Sequence, residues 1–378
     1  MTVSVRAATH ILRVISLRPV SAYAAELKPH LPPAAFEPAR SRVLWLLVHL
    51  AVVALGALVI GKHLLPVWLW PLVSLLVGCS FAGLAFVAHE TLHGATVRQK
   101  TLRHLVGWLG FLPFALSPRL WIAWHNKMHH GNANRAGIDP DAYPTLGEHQ
   151  QSLLVRVSTD CFGVGRGRLR GLASLCIGFH AQSTHVLFLA WRRRYLPRRE
   201  LVLALGESAL GLGCWLALLY VLGPTGFTFA YVLPALVGNS IVMAYIFTNH
   251  ALSPHTSVND PLANSLSVTV PRWVDFLTLR FGFHVEHHLF PWMSSRHAPL
   301  VRDLVRARWP ERYQSMPLWR ALYAVHQTPR VYEDDKTLLD PHTGRRVRTL
   351  LAKMRTRIRD SVPPSVRPRR SERVAAGR

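Results

Sequence analysis

The sequence predicts an all-α integral membrane protein: four transmembrane helices paired as two hairpins, interfacial helices, and a helical cap at one end. Two apolar runs, 43–61 and 67–88, are separated by a link too short for anything but a turn. The pattern returns at 201–223 and 227–248, joined through Gly223-Pro224-Thr225-Gly226. The chain has 378 residues, 50% of them hydrophobic, with a mean hydropathy of +0.17. That composition suits one polytopic membrane domain with tails better than two or three soluble domains.

Residues 1–42 hold scattered Arg, Ala and Pro without a compact apolar core and cleavage site, so no secretory signal is read there. They form an N-terminal cytoplasmic or interfacial segment, in which 3–18 is either a weak amphipathic helix or a partly ordered tail. Residues 43–300 make the membrane domain. At about 1.5 Å per residue, each of its four apolar runs crosses a hydrocarbon core about 30 Å thick. The second run leads straight into His89. Residues 105–116 are too short to span and are broken by Pro113 and Pro118, so they read as re-entrant or interfacial. They deliver Trp121 and Trp124 to a histidine cluster. The apolar patch 172–191, interrupted by His180, Gln182 and His185, reads as interfacial, with a buried span as the alternative. Glu207 and Asn239 lie inside apolar runs and are expected to face the protein interior. Residues 301–344 read as a folded cytoplasmic segment, and 345–378 as a basic, disordered, lipid-facing tail.

The net charge of +24 could suggest nucleic acid. However, the basic residues flank apolar runs rather than line an aromatic-studded face, so no nucleic-acid partner is read. The hairpin tips carry only Lys62, while the N-terminus, 94–200 and everything after 249 are rich in Arg. The positive-inside rule then puts both termini and all histidine clusters in the cytoplasm. Cys79, Cys161, Cys176 and Cys214 form no C-x-x-C pair, so neither a disulfide framework nor a thiolate metal site is read.

The chemistry-bearing stretches are His89-Glu90-Thr91-Leu92-His93, His125-Asn126-Lys127-Met128-His129-His130 and His284-Val285-Glu286-His287-His288. Spacings of three and four put two imidazoles on one helical face. His89/His93, His125/His129 and His284/His288 fit the second spacing, and His284/His287 the first. Adjacent helical residues diverge by about 100°, so the doubled histidines, 129/130 and 287/288, suit two ions with one member on each. A single such pair is usually incidental. Three clusters on the same side of the membrane point to a metal centre. His250, directly after the fourth run, is the candidate ninth ligand, and Asn249 a candidate through water. Zinc sites take three or four ligands, so eight or nine fit two ions with open positions. Glu90, Asp139, Asp141, Asp275 and Glu286 are candidates to hold the outer imidazole nitrogens. His180 and His185 have no assigned role. His63 is placed on the far side, and His255, His297, His326 and His342 on the surface.

The three clusters resemble the boxes of the membrane fatty acid desaturases, part of a wider group of membrane di-iron desaturases and hydroxylases. That pattern is H-x-x-x-H, then H-x-x-x-H-H or H-x-x-H-H, then H-x-x-H-H. Here it stands as H-E-T-L-H, H-N-K-M-H-H and H-V-E-H-H-L-F-P, within roughly residues 40–300. The resemblance implies a di-iron centre on His89, His93, His125, His129, His130, His284, His287 and His288, with His250 added. It also implies O2 as co-substrate and the removal of two hydrogens from adjacent methylenes of a lipid or CoA-linked acyl chain. The first box has three residues between its histidines, where Δ9 acyl-CoA desaturases have four. The third begins with His, where front-end desaturases have Gln. With no H-P-G-G haem motif and no ferredoxin-like cysteine cluster in the sequence, electrons are expected from a separate ferredoxin or cytochrome b5. The expected location is a bacterial inner membrane, multi-pass. The alternative within the group is a hydroxylase or ketolase acting on an alkane, sterol, sphingolipid or carotenoid. A metal transporter would place histidines inside the spans, and here they gather at span ends.

Overall fold

The structure is a computed structural model that describes residues 16–161, 165 and 167–350; the segment 3–18 therefore falls almost wholly outside the described residues. After α1 (Val20–Leu27), the chain enters α2 (Leu44–Gly61) and, past a turn at Lys62 and His63, α3 (Trp70–Leu92). Among the described residues, four helical stretches are long and apolar enough to cross a membrane: 33–61, 67–92, 169–193 and 198–250.

Helix α3 is the centre of the bundle, buried almost continuously from Val77 to Leu92. Its residues explain why. Gly78, Ala82, Gly83, Ala85 and Ala88 leave room for neighbouring backbones. A Cβ on Gly78 would stand 2.5 Å from the Val237 Cβ and 2.8 Å from the Pro234 carbonyl oxygen. Replacing Gly78 with valine is therefore expected to destabilise the fold by about 1–3 kcal/mol. A lowered unfolding temperature in detergent would show it, and an unchanged one would refute it. In contrast, α2 keeps Leu44, Leu47, Leu55 and Leu58 exposed, as a lipid-facing helix would.

Helix α4 (Lys100–Phe111) runs through a short 3₁₀ turn to α5 (Pro118–Trp121). The two arms 100–114 and 118–132 meet at 99°. Ser117 caps the second arm, its hydroxyl accepting from the Arg119 and Leu120 backbone N–H groups. A π-helical stretch, Ile122–His129, and α6 (His130–Asn132) follow. Next come α7 (Leu146–Gln151), α8 (Leu153–Cys161) and α9 (Arg168–Arg193). The last of these is longer than the patch 172–191: it is one 26-residue helix, long and apolar enough by length and composition to cross a membrane. Two of its polar interruptions point inward: the His180 ring stands 2.8 Å from Asn239 Nδ2, and Gln182 Nε2 donates to Asp141 Oδ1 at 2.8 Å.

Helices α10 (Arg198–Phe227) and α11 (Leu233–His250) are continuous through a π turn but not straight. Gly223 takes φ 67°, ψ 173°, and Pro224 follows. This is a glycine-only conformation beside a residue that cannot donate. The chain reverses there, since Trp215 stacks on Tyr231 with ring centroids 4.4 Å apart. The two turns lie together: a Cβ on Gly61 would meet Leu222 at 2.7 Å, and Trp70 packs edge-on to Phe229. Glu207 sits within the bundle and accepts from Ser117 Oγ at 2.6 Å and Arg119 Nε at 2.7 Å.

The opposite end carries the cap. It comprises α12 (Pro261–Asn264), β1 (Ser267–Thr269), α13 (Arg272–Leu277), α14 (His284–Leu289), α15 (Ala298–Arg308), β2 (Ser315–Pro317) and α16 (Leu318–His326). β1 and β2 pair in parallel, Val268 opposite Met316. A three-stranded antiparallel sheet closes the chain: β3 (Val331–Asp334), β4 (Thr337–Leu339) and β5 (Arg346–Arg348). The expected disordered tail from 345 is thus corrected at its start, because Val347 pairs with buried Leu338. Residues 351–378 lie outside the described residues.

Candidate metal centre

The structure brings all nine candidate histidines together from four chain segments. His89 and His93 end α3, and His250 ends α11. His125, His129 and His130 sit on and just after the π-helical stretch. His284, His287 and His288 occupy α14.

They sort into two groups. In one, the ligand atoms of His89, His93, His125 and His287 all lie within 4.8 Å of one another. His130 joins it, its Nε2 being 3.2 Å from His125 Nε2 and 3.0 Å from His287 Nε2. In the other, the same criterion gathers His129, His250, His284 and His288, with His284 Nε2 and His250 Nε2 2.7 Å apart. Each doubled histidine is divided between the groups, as the angle of about 100° between helical neighbours requires.

The second box differs from its spacing-based reading. On an α-helix His125 and His129 would face one way, and His125 and His130 would diverge by about 140°. The π winding, in which the His130 N–H reaches the His125 carbonyl, instead brings His125 and His130 face to face. His129 turns to the second group.

These contacts fit metal ions better than hydrogen bonds. The Nε2 atoms of His89, His125, His130 and His287 form a chain with contacts of 3.1, 3.2 and 3.0 Å. A neutral imidazole nitrogen either donates one proton or offers one lone pair, so at most two of the three contacts can be hydrogen bonds. His93 Nε2 and both ring nitrogens of His288 are buried with no hydrogen-bond partner, a costly state. Cations at the two convergence points would engage every one of these lone pairs. Burial also keeps the rings of α14 neutral: it depresses His287 to about 3 and holds His284 and His288 well below the usual imidazole range. Neutral imidazole is the ligating form.

The outer nitrogens are held selectively. His129 Nδ1 donates to Asp139 Oδ1 at 3.0 Å, and His250 Nδ1 to the Asn264 carbonyl at 2.8 Å. Both bonds fix the tautomer and leave Nε2 for the interior. Asp139 itself is anchored by the Asn134 N–H at 2.8 Å. Asp141 stands 3.5 Å from His129 Nδ1 and accepts from Trp124 Nε1 and Gln182 Nε2, both at 2.8 Å. Trp121 stacks on His125 at 4.5 Å.

The other three carboxylates are corrected, since none touches an imidazole. Glu90 accepts from Arg42 Nε at 2.7 Å and Ser294 Oγ at 2.6 Å. Glu286 accepts from Ser267 Oγ and Tyr313 Oη, both at 2.6 Å. Asp275 faces Arg280. Glu90 and Glu286 each follow or precede a cluster histidine by one position, so they point off its face: Glu90 ties α3 to Arg42, Ser294 and Ser295, and Glu286 ties α14 to Ser267 and Tyr313. His255 is likewise corrected from surface to buried: β3 covers it, and Tyr332 stacks on its ring at 3.6 Å. His180 is brought to Asn239 rather than to either group, and His185 joins neither.

A cavity of about 1130 Å³ opens beside the centre, with His89, His125, His129, His250 and His284 in its wall. Its walls between α3, α9 and α11 are apolar, with Phe86, Phe111, Ile177, Phe179, Val242 and Ile246. It is also lined by Arg192 and Arg193 and, from α7 and α8, by residues such as Glu148, Gln151, Val155 and Thr159. The desaturase resemblance implies an apolar tunnel lined by the spans, but which residues form its walls is not legible in the sequence, because they come from helices far apart in the chain.

The family model described as fatty acid desaturase matches residues 65–319. The chain is similar to the chloroplastic omega-6 fatty acid desaturase of Spinacia oleracea, 24% identical over 300 residues, covering 76% of this chain and 65% of the relative. It is similar to the sn-1 oleoyl-lipid 12-desaturase of Arthrospira platensis, 25% identical over 267 residues, covering 67% of this chain and 73% of the relative. It also resembles fatty acid conjugase FAC2 B of Calendula officinalis, 24% identical over 330 residues, covering 79% and 86%. The match spans just under two thirds of the length of the Spinacia oleracea relative.

Proposed function

The chain belongs to the fatty acid desaturase family, and on that premise we propose that it introduces a double bond into the acyl chain of a membrane lipid at a centre of two iron ions. The observation that carries the reading is the convergence of nine histidines in two groups, five of them in the wall of a largely apolar cavity. His89, His93, His125, His130 and His287 would hold one ion. His129, His250, His284 and His288 would hold the other. Bound iron, with O2 and two electrons from a separate ferredoxin or cytochrome b5, supplies the oxidising power that an unactivated methylene requires and no side chain possesses.

The chain's own residues do the rest. Phe86, Phe111 and Phe179 give the acyl chain an apolar channel and keep water from the centre. Asp139 and the Asn264 carbonyl hold His129 and His250 in one orientation. Arg192 and Arg193 in the lining suit an anionic headgroup, and with Arg194 they suit an acidic electron donor. The membrane domain, 43–300, houses the centre and 301–344 supports it. Both termini and the cap face the cytoplasm in this reading. The lipid-linked substrate accords with the printed name of the Arthrospira relative.

Expression in a host of known lipid composition tests the proposal. Mass spectrometry of the lipids is expected to show a new species two hydrogens lighter than its parent. A product that gains one oxygen, or no new species in an iron-replete host with a donor supplied, would refute it.

A further inference from the structure

We propose that His149, Asp160 and His342 form a separate site for one divalent cation of the zinc class, clipping the cavity wall to the C-terminal sheet. The three residues come from α7, α8 and the turn between β4 and β5, and share no member with the nine-histidine centre. Their ligand atoms lie within 4.8 Å of one another. The Asp160 carboxylate stands 3.2 and 3.4 Å from His342 Nε2 and 3.7 Å from His149 Nε2. Ligands bound tetrahedrally at about 2.0–2.2 Å are about 3.3–3.6 Å apart, so the carboxylate already stands at nearly that separation from each imidazole, and the two imidazole nitrogens lie within 4.8 Å of each other.

A second observation points to a ligand. His149 is only 5% exposed, and its Nε2 is buried without a hydrogen-bond partner. That nitrogen faces Asp160 from beyond hydrogen-bond reach. A buried, unpaired ring nitrogen is costly, and a cation between it and the carboxylate removes the cost. Two imidazoles and a carboxylate suit zinc, with the fourth position left to water.

The surroundings are preorganised. The Thr145 hydroxyl accepts from the Glu148 N–H at 3.2 Å, while Glu148 Oε2 accepts from the Thr145 N–H at 2.9 Å, a reciprocal cap on α7. The Tyr332 N–H of β3 reaches the Pro144 carbonyl at 2.9 Å. The sheet and α7 thus already touch beside the site. Glu148, Gln151, Ser152, Ser158 and Thr159 all line the cavity. A bound ion would therefore fix this wall without touching the centre.

The test uses the full chain in detergent, dialysed against zinc alone, with iron and zinc counted together by mass spectrometry. The expected result is about one zinc per chain with no loss of iron. In His342→Ala, zinc affinity is expected to fall more than about 100-fold, with iron content unchanged. His342→Cys should restore binding, because a thiolate also ligates zinc. The His342 side chain is 49% exposed, so these variants fold. Zinc retained equally by His342→Ala, zinc entering only as iron leaves, or no zinc retained by the native chain would each overturn the site.

Discussion

Replacing His287 with alanine is expected to abolish the unsaturated product and to strip iron from the first of the two groups. His287 Nε2 faces His130 Nε2 at 3.0 Å, and its ring lies 4.6 Å from those of His89 and His93. No other α14 side chain joins that group. The loss should exceed about 100-fold in turnover, since direct ligands outweigh the supporting contacts that already cost 10–100-fold. His288→Ala should do the same through the second group. The double variant should be no worse than either single one, because residues that act as one unit are not additive. Lipid profiling and iron counting on the same preparation check this. Product at the native level from His287→Ala would remove His287 from the centre.

The second large effect is expected from Asp139→Asn. Asp139 is buried and accepts from His129 Nδ1 through both oxygens, at 3.0 and 3.1 Å. An amide keeps the shape. It loses the negative charge, and it can turn its NH2 toward the imidazole, which would then expose the wrong nitrogen to the interior. Iron retention against a chelator is expected to fall about 10–100-fold, with the unfolding temperature close to native. Asp141→Asn should have a smaller effect, because Asp141 lies farther from His129 and is engaged by Trp124 and Gln182. Equal iron retention in native and Asp139→Asn protein would show that His129 needs no such support.

What the sequence made legible was local. Apolar runs such as 43–61 and 67–88 announce themselves by composition alone, and H-V-E-H-H by spacing alone. Helix α9 was harder because Arg, His and Gln dilute it: its best window has a hydropathy of 1.3, against 2.7 and 2.1 for the first two stretches. The pairing of His125 with His130 depends on a π hydrogen-bond pattern that spacing does not encode. Five carboxylates stood next to histidines or within reach of them in the chain, and only tertiary contacts separate Asp139 from Glu90 or Glu286. The burial of His255 depends on β3, which arrives some 75 residues later.

The division of ligands along the chain also has a consequence in time. Four of the five first-group histidines, His89, His93, His125 and His130, are complete within about 130 residues, whereas His287 lies about 160 residues beyond His130. At about 5–20 residues per second, that interval lasts about 8–30 s during synthesis. A nascent chain therefore carries an open, four-imidazole half-site long before α14 closes it. On the proposed reading, whichever divalent ion the surroundings offer at that moment competes for it, so loading with iron would depend on the supply of iron during translation as well as on the affinity of the finished protein.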